Sequence, residues 1–186
     1  PVMNVLKFGG TSMGDAQTWK RVIDIIGKYK TPFVIVSATA RTTRSLLKAA
    51  NKAIDDPQEA HTIADEIAAR HNNIVNQFLA DYKDSAQVLE ACRSWIDIHI
   101  GELKNHLVTI HNQQELTEEL KDVIASIGER LSSYLFAEFG YVAGLYTTWL
   151  DATQIIRTDS NFGNASPDFD FISKKMNTLQ QKIPSS

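Results

Sequence analysis

The run Lys7-Phe8-Gly9-Gly10-Thr11-Ser12-Met13 constrains the fold of this 186-residue chain more than any other segment. Before it, Val2-Met3-Asn4-Val5-Leu6 reads as a strand; after it, Asp15 to Tyr29 reads as an amphipathic helix. A strand that turns on glycines directly into a helix belongs to an α/β fold. The same turn is suited to an anion. A helix N-terminus carries unpaired N–H groups and a partial positive charge. Gly9 and Gly10 lack Cβ atoms, so a phosphate can approach the backbone closely. Lys7 supplies a point charge, and Thr11 and Ser12 supply hydroxyls, one of which can cap the helix. A glycine pair alone fits any tight turn. The lysine before it and the hydroxyls after it favour phosphate binding.

Pro32-Phe33-Val34-Ile35-Val36-Ser37-Ala38 is a nearly continuous apolar run, the pattern of a strand buried on both faces. Strand, helix and strand make one βαβ unit with a parallel pair. The polar run Ala38 to Ser45, with Arg41 and Arg44, follows at the carboxyl end of the second strand, where open parallel sheets bind ligands. Its hydroxyls and arginines suit anionic groups, and equally suit a solvated loop leading into a helix capped by Ser45. From Leu46 to about Phe139 the periodicity is helical, broken at Asp56-Pro57 and at residues 81–84. One stripe carries Ile63, Ile67, His71, Val75, Phe78 and Leu79; the next carries Val88, Cys92, Trp95, Ile96, His99, Leu103, Leu107 and Ile110. Thr117 is placed to cap a further helix bearing Val123, Ile127, Leu131, Tyr134 and Leu135. Inside that helix Gly128 costs about 1 kcal/mol relative to alanine, which argues that something approaches the helix there. Glu129 beside it can hold an ammonium group or stand as a solvated surface carboxylate. Leu145 to Leu150 and Ile155 to Asp159 read as short strands, residues 161–164 as a turn, and Asp168 to Ile183 as a last helix.

A net charge of −3 argues against a nucleic-acid partner, and no run is long enough to span a bilayer. Signal-peptide character is lacking at the N-terminus, and the single Cys92 cannot form an internal disulfide, so the expected compartment is the cytoplasm. Cys92 lies in an apolar stripe and is expected to pack. The five histidines show no zinc-ligand spacing, and no metal-binding residues are expected. Dinucleotide, Walker and nucleophile-elbow motifs are likewise missing.

With these segments assembled, a family resemblance emerges. Lys7 to Ser12, KFGGTS after a strand, resembles the opening motif of aspartokinases in the amino-acid kinase superfamily. Ser37-Ala38 with Thr43 is similar to that family's second-strand motif, and Ser126 to Ser132 to its S-x-G-E-x-x-S helix. Arg157 to Gly163, with Ala165 and Pro167-Asp168, is similar to its R-T-(N/D)-x-x-F-G-x-A-x-P-(D/N) segment. The resemblance implies a three-layer αβα fold with a mostly parallel sheet and a large helical insertion at about residues 46–140. It implies phosphoryl transfer from ATP to L-aspartate, giving ADP and 4-phospho-L-aspartate, the first step toward lysine, threonine and methionine, with Mg²⁺ carried by the nucleotide. By motif match, Lys7 would neutralise the transferring phosphoryl group, and Gly9, Gly10, Thr11 and Ser12 would surround the phosphates. Ser37 and Thr43 would line the substrate pocket, with Thr43 on a substrate carboxylate, and Glu129 would bind the α-ammonium. A homo-oligomeric parent enzyme is implied.

Two departures stand out. The family commonly has glycine where Arg41 stands and asparagine or aspartate where Arg44 stands. The nucleotide-base pocket, an R-G-G-S-D-type segment and the ACT domains of family members have no counterpart within these residues. The chain is therefore expected to be the N-terminal portion of a catalytic domain, inactive by itself. Two competing readings are a glutamate, acetylglutamate or uridylate kinase of the same superfamily, and a non-catalytic helical interaction module with a relic phosphate loop.

Overall fold

The computed structural model describes residues 4–151. The chain divides into two compact units, Pro1–Thr148 and Trp149–Ser186, and every described helix and strand belongs to the first. The expected elements at Ile155–Asp159, 161–164 and Asp168–Ile183 lie outside the described residues, as does the Arg157 to Asp168 motif.

The first strand, β1 (Val5–Phe8), runs parallel to β2 (Phe33–Val36), with Val5 opposite Phe33 and Phe8 opposite Val36. Flanking bonds, Phe33 N–H to Asn4 O (2.8 Å) and Ser37 N–H to Phe8 O (2.9 Å), extend the ladder at both ends. The strand sits further along than the apolar run alone suggests, because Lys7 and Phe8 pair with Ile35 and Val36. Between the strands lies α1 (Ala16–Ile26), which buries Trp19, Val22, Ile23 and Ile26. Its cap is Asp15, not Thr11 or Ser12. The Asp15 carboxylate accepts from Thr18 N–H at 2.7 Å, and Thr18 Oγ1 accepts from Asp15 N–H at 3.0 Å. Thr11 and Ser12 are taken up instead in a 3₁₀ turn, Gly10–Met13, that precedes the helix.

Four helices follow: α2 (Thr42–Asp55), α3 (Pro57–Leu79), α4 (Ala86–Gln113) and α5 (Glu118–Val142). The interruptions fall where the sequence places them. Asp56 accepts from Glu59 N–H at 3.0 Å with Pro57 at the first helical position, and Thr117 Oγ1 accepts from Leu120 N–H at 3.1 Å. Small residues let α2 and α3 run close together: Ala49, Ala50, Ala53, Ala60 and Ala64 are completely buried. His111 and Gln114 close the end of α2, donating to Ala53 O (3.1 Å) and Ile54 O (3.0 Å). Aromatic contacts tie α1 and α3 to α5. Trp19 packs on Phe136 and Phe139, and Phe78 stacks on Phe139 with ring centroids 4.1 Å apart. Burial of each such ring stabilises by about 1.5–3 kcal/mol.

Three expectations need correction. α2 starts three residues before Ser45, at Thr42, because Thr42 N–H already bonds Thr39 O (3.0 Å) and Ser45 N–H bonds Arg41 O (3.0 Å). On α5, Val123 is exposed and Ile124 takes the core position. The segment Leu145–Leu150 is not a strand. Its first residues tie back to α5 through Leu145 N–H to Gly140 O (2.9 Å) and Thr147 Oγ1 to Ala137 O (2.7 Å). No helix among the described residues is long and apolar enough to cross a membrane.

Candidate active site

A cleft of about 480 Å³ opens where the carboxyl ends of β1 and β2 meet α2 and α5. Gly10, Ser37, Ala38, Thr39, Ala40, Arg41, Thr43, Arg44 and Glu129 line it. Three segments far apart in sequence are therefore brought together: the glycine turn, the run after β2, and the glycine-bearing stretch of α5.

Each wall has a local cause. Gly9 is extended, and Gly10 has φ +58°, a conformation glycine adopts without strain. The turn's internal bond, Ser12 N–H to Gly9 O (3.2 Å), leaves the amides of Gly10 and Thr11 outside it. A Cβ on Gly9 would lie 3.5 Å from Ser37 Oγ, so the turn sits directly beside the second strand's end. Ala40 N–H bonds Met13 O (3.1 Å), fastening the run after β2 to the far end of the turn. Arg41 then takes φ +68° and starts α2, whose first turn carries Thr43 and Arg44 into the cleft. No side chain caps that helix.

The wall from α5 depends on Gly128. A Cβ there would lie 2.9 Å from Ala38 Cβ, 3.4 Å from Leu46 Cδ1 and 3.5 Å from Thr42 Cγ2. Its absence allows α5 to press against the run after β2, as the cost of a mid-helix glycine suggests. Ser132, fully buried one turn further on, donates from Oγ to Ser37 O at 2.7 Å and locks the approach. Glu129 then reaches the cleft, where desolvation raises its carboxyl above the ordinary range and a hydrogen bond from its own amide partly offsets the rise. Ser37 Oγ donates to Ala38 O at 2.9 Å, leaving its lone pairs to accept.

Beneath the loop runs a buried polar relay that sequence reasoning missed. His71, completely buried on α3, donates from Nδ1 to Ile67 O at 2.7 Å, so its Nε2 must accept. Thr39 Oγ1 lies 3.4 Å from that nitrogen and also bonds Thr42 Oγ1. Arg70 donates to Thr42 Oγ1 at 3.2 Å. Since Nε2 accepts, Thr39 donates its one hydroxyl hydrogen to His71 and accepts from Thr42, which in turn accepts from the Arg70 guanidinium. Burial pushes the His71 imidazole down to about 4, which keeps it neutral and accepting at neutral pH. The available signal was a histidine on an otherwise apolar stripe, which requires a buried partner.

Of the residues read from the sequence, Gly10, Ser37, Thr43 and Glu129 share the cleft, and Gly9 borders it. Lys7, Thr11 and Ser12 are not among its lining. Lys7 is exposed, on the strand face it shares with Val5. Among the described residues, no group of three or more histidine, cysteine, aspartate or glutamate side chains could hold a metal ion.

The profile of the amino acid kinase family matches residues 3–184. Aspartokinase of Chlamydia muridarum is 33% identical over 164 residues, covering 88% of this chain and 33% of that protein. Aspartokinase of Chlamydia trachomatis serovar D is 32% identical over 164 residues, again 88% of this chain and 34% of that protein. The chain thus spans about a third of the length of the curated relatives it matches. Its fold is that of E. coli aspartokinase III, solved in complex with aspartate and ADP, with a TM-score of 0.78 at 23% identity over 97% of this chain and 38% of that one.

Proposed function

The chain belongs to the amino acid kinase family, and from this we propose that it is the substrate-binding portion of an aspartokinase catalytic domain. Such an enzyme transfers the γ-phosphoryl group of ATP to the side-chain carboxylate of L-aspartate. The products are ADP and 4-phospho-L-aspartate, the first intermediate toward lysine, threonine and methionine. The observation that carries the reading is the convergence of Gly10, Ser37, Thr43 and Glu129 on one cleft. Relatives solved with aspartate and ADP, or with lysine and aspartate, support the choice of ligands.

In this reading the protein contributes position and charge rather than covalent chemistry. A carboxylate oxygen of the substrate attacks the γ-phosphorus, and the bond from that phosphorus to the ADP oxygen breaks. Amides of the Gly9-Gly10 turn receive phosphate oxygens, with the hydroxyls of Thr11 and Ser12 beside them. Lys7, exposed at the end of β1, swings in to neutralise charge on the transferring group. Thr43 and Ser37 orient the substrate, and Glu129 receives its ammonium. Mg²⁺ would enter with the nucleotide, held by its phosphates. The enzyme works in the cytoplasm as a homo-oligomer, and this 186-residue portion does not turn over by itself.

Thermal unfolding with separate ligands tests the reading. L-aspartate and ATP should each raise Tm through linkage, whereas L-glutamate, acetylglutamate and uridylate should not. Lys7→Ala should weaken the ATP shift and leave the aspartate shift. A chain indifferent to both ligands would fit a non-catalytic helical module and end the proposal. Lys7-dependent ADP release by this chain alone would overturn the claim that it is inactive.

A further inference from the structure

Three unfavourable features meet at the turn after β2. Residues Thr39 to Thr42 are closed into a turn by Thr42 N–H to Thr39 O (3.0 Å). Its third residue, Arg41, takes φ +68° and ψ −5°, while Ala40 before it keeps a negative φ. That is a type II turn, whose third position calls for glycine, so the arginine there is strained. Beneath it His71 is completely buried on an otherwise apolar face of α3. Beside it, burial and the nearby charge of Arg41 both work against the Arg70 guanidinium, whose Nε has no hydrogen-bond partner among the described residues. A strained backbone persists only where its surroundings over-determine it, and such strain collects at functional sites.

Here the surroundings can be named. Thr39 and Thr42, the first and last residues of the turn, are 2% and 0% exposed, and their hydroxyls bond each other just as their backbones do. Each hydroxyl has one hydrogen to give. His71 Nε2 accepts at one end of the pair and Arg70 donates at the other, so a single order of donation results. We infer that His71 and Arg70 are positioning residues: by fixing the hydroxyls of Thr39 and Thr42 they hold the left-handed turn at Arg41, and with it one wall of the cleft. The turn is fastened to the glycine turn by Ala40 N–H to Met13 O (3.1 Å), and Thr43 follows it directly. No lining residue among those described comes from α3, yet two of its side chains set where Thr43 stands relative to Gly10. The role in catalysis rests on the aspartokinase reading; the hold on the turn does not.

The test is amide hydrogen exchange by NMR on this chain without ligand, read at Thr42 N–H, which closes the turn, and at Ile74 and Val75 within α3. His71→Leu and Thr39→Val should each speed exchange at Thr42 by about tenfold or more, the effect of one buried polar group left unsatisfied, and change Ile74 and Val75 much less. His71→Gln, whose amide keeps both a donor and an acceptor, should stay near wild type. In an Arg41→Gly chain, whose turn needs no outside support, His71→Leu should have little effect at Thr42. Exchange at Thr42 that rises only in step with Ile74 and Val75 would make His71 a purely structural residue and overturn the inference. So would an equal effect of His71→Leu with and without Arg41→Gly, or a His71→Gln chain as fast as His71→Leu. Should His71→Leu fail to fold, Thr39→Val, which keeps the side chain's shape, decides by the same comparison with Arg41→Gly. Absence of any Tm shift with L-aspartate or ATP would end the aspartokinase reading and leave the hold on the turn standing.

Discussion

Gly128→Ala sets two well-measured effects against each other. Alanine is the better helix former by about 1 kcal/mol, so on helix propensity alone the variant is more stable. The structure argues the opposite. The new Cβ would lie 2.9 Å from Ala38 Cβ, whereas carbon atoms in favourable contact sit about 3.5–4.0 Å apart. A Cβ cannot rotate away, so α5 or the run after β2 must retreat by about 0.6 Å or more. That retreat strains the Ser132 Oγ bond to Ser37 O, now 2.7 Å, and the packing of Leu46 and Thr42 against the helix. Inserting a methyl into a closed contact of this kind costs about 1–3 kcal/mol, and the loosened buried hydrogen bond adds about 1. After the propensity gain, the net expectation is a loss of about 1–3 kcal/mol, or roughly 2–12 °C in Tm for a chain of this size. Circular dichroism at 222 nm during heating measures it. Removing the opposing methyl in Ala38→Gly/Gly128→Ala should restore part of the loss beyond the sum of the single changes. A Gly128→Ala chain that melts higher than wild type would refute the close-approach argument.

His71 has a folded-state pKa near 4 against an ordinary 6.5, so the unfolded chain takes up its proton first as pH falls. Stability should decline from about pH 6.5 to pH 4, by about 3 kcal/mol from this residue, and His71→Gln should flatten that part of a urea-denaturation pH profile. Burial pushes the Glu102 carboxyl up, but the paired bonds from Arg130, at 2.9 and 3.1 Å, outweigh it and leave the group below its usual range. Its stabilisation is therefore present at neutral pH and fades as pH falls through the carboxylate range. Glu102→Gln should cost about 1 kcal/mol at pH 7, the pair being partly exposed, and progressively less at pH 3, read by the same denaturation curves. The Cys92 thiol, completely buried and pushed up to about 12 chiefly by desolvation, should resist alkylation at pH 8 in the folded chain and react at once in 6 M guanidinium, as mass spectrometry would show.

Local chemistry made some of this protein legible before any coordinates. The glycine turn between strand and helix, the breaks at Asp56-Pro57 and Thr117, and the apolar stripes through Cys92 and Leu107 follow from backbone preferences and helical period. The cost of Gly128 even announced a close contact, though not its partner. Caps were read less well. Asp15 displaced Thr11 and Ser12 because the preceding residues closed a 3₁₀ turn, and Arg41 displaced Ser45 because Thr39 could accept the first bond of α2. Leu145–Leu150 has strand-like residues, but strand formation depends on a neighbour to pair with, and the beginning of this segment bonds to α5 instead.

Sequence by itself determined which residue types stand at each turn and which helix faces are apolar, since both depend on interactions a few residues long. Only the tertiary structure decided that the turn at Gly10, the loop at Arg41 and the helix face at Glu129 share one cleft, and that His71 reaches Thr39 from another helix. Those contacts join residues 30 to about 120 positions apart, and the partner of a buried polar group at that distance is fixed by packing rather than by spacing along the chain.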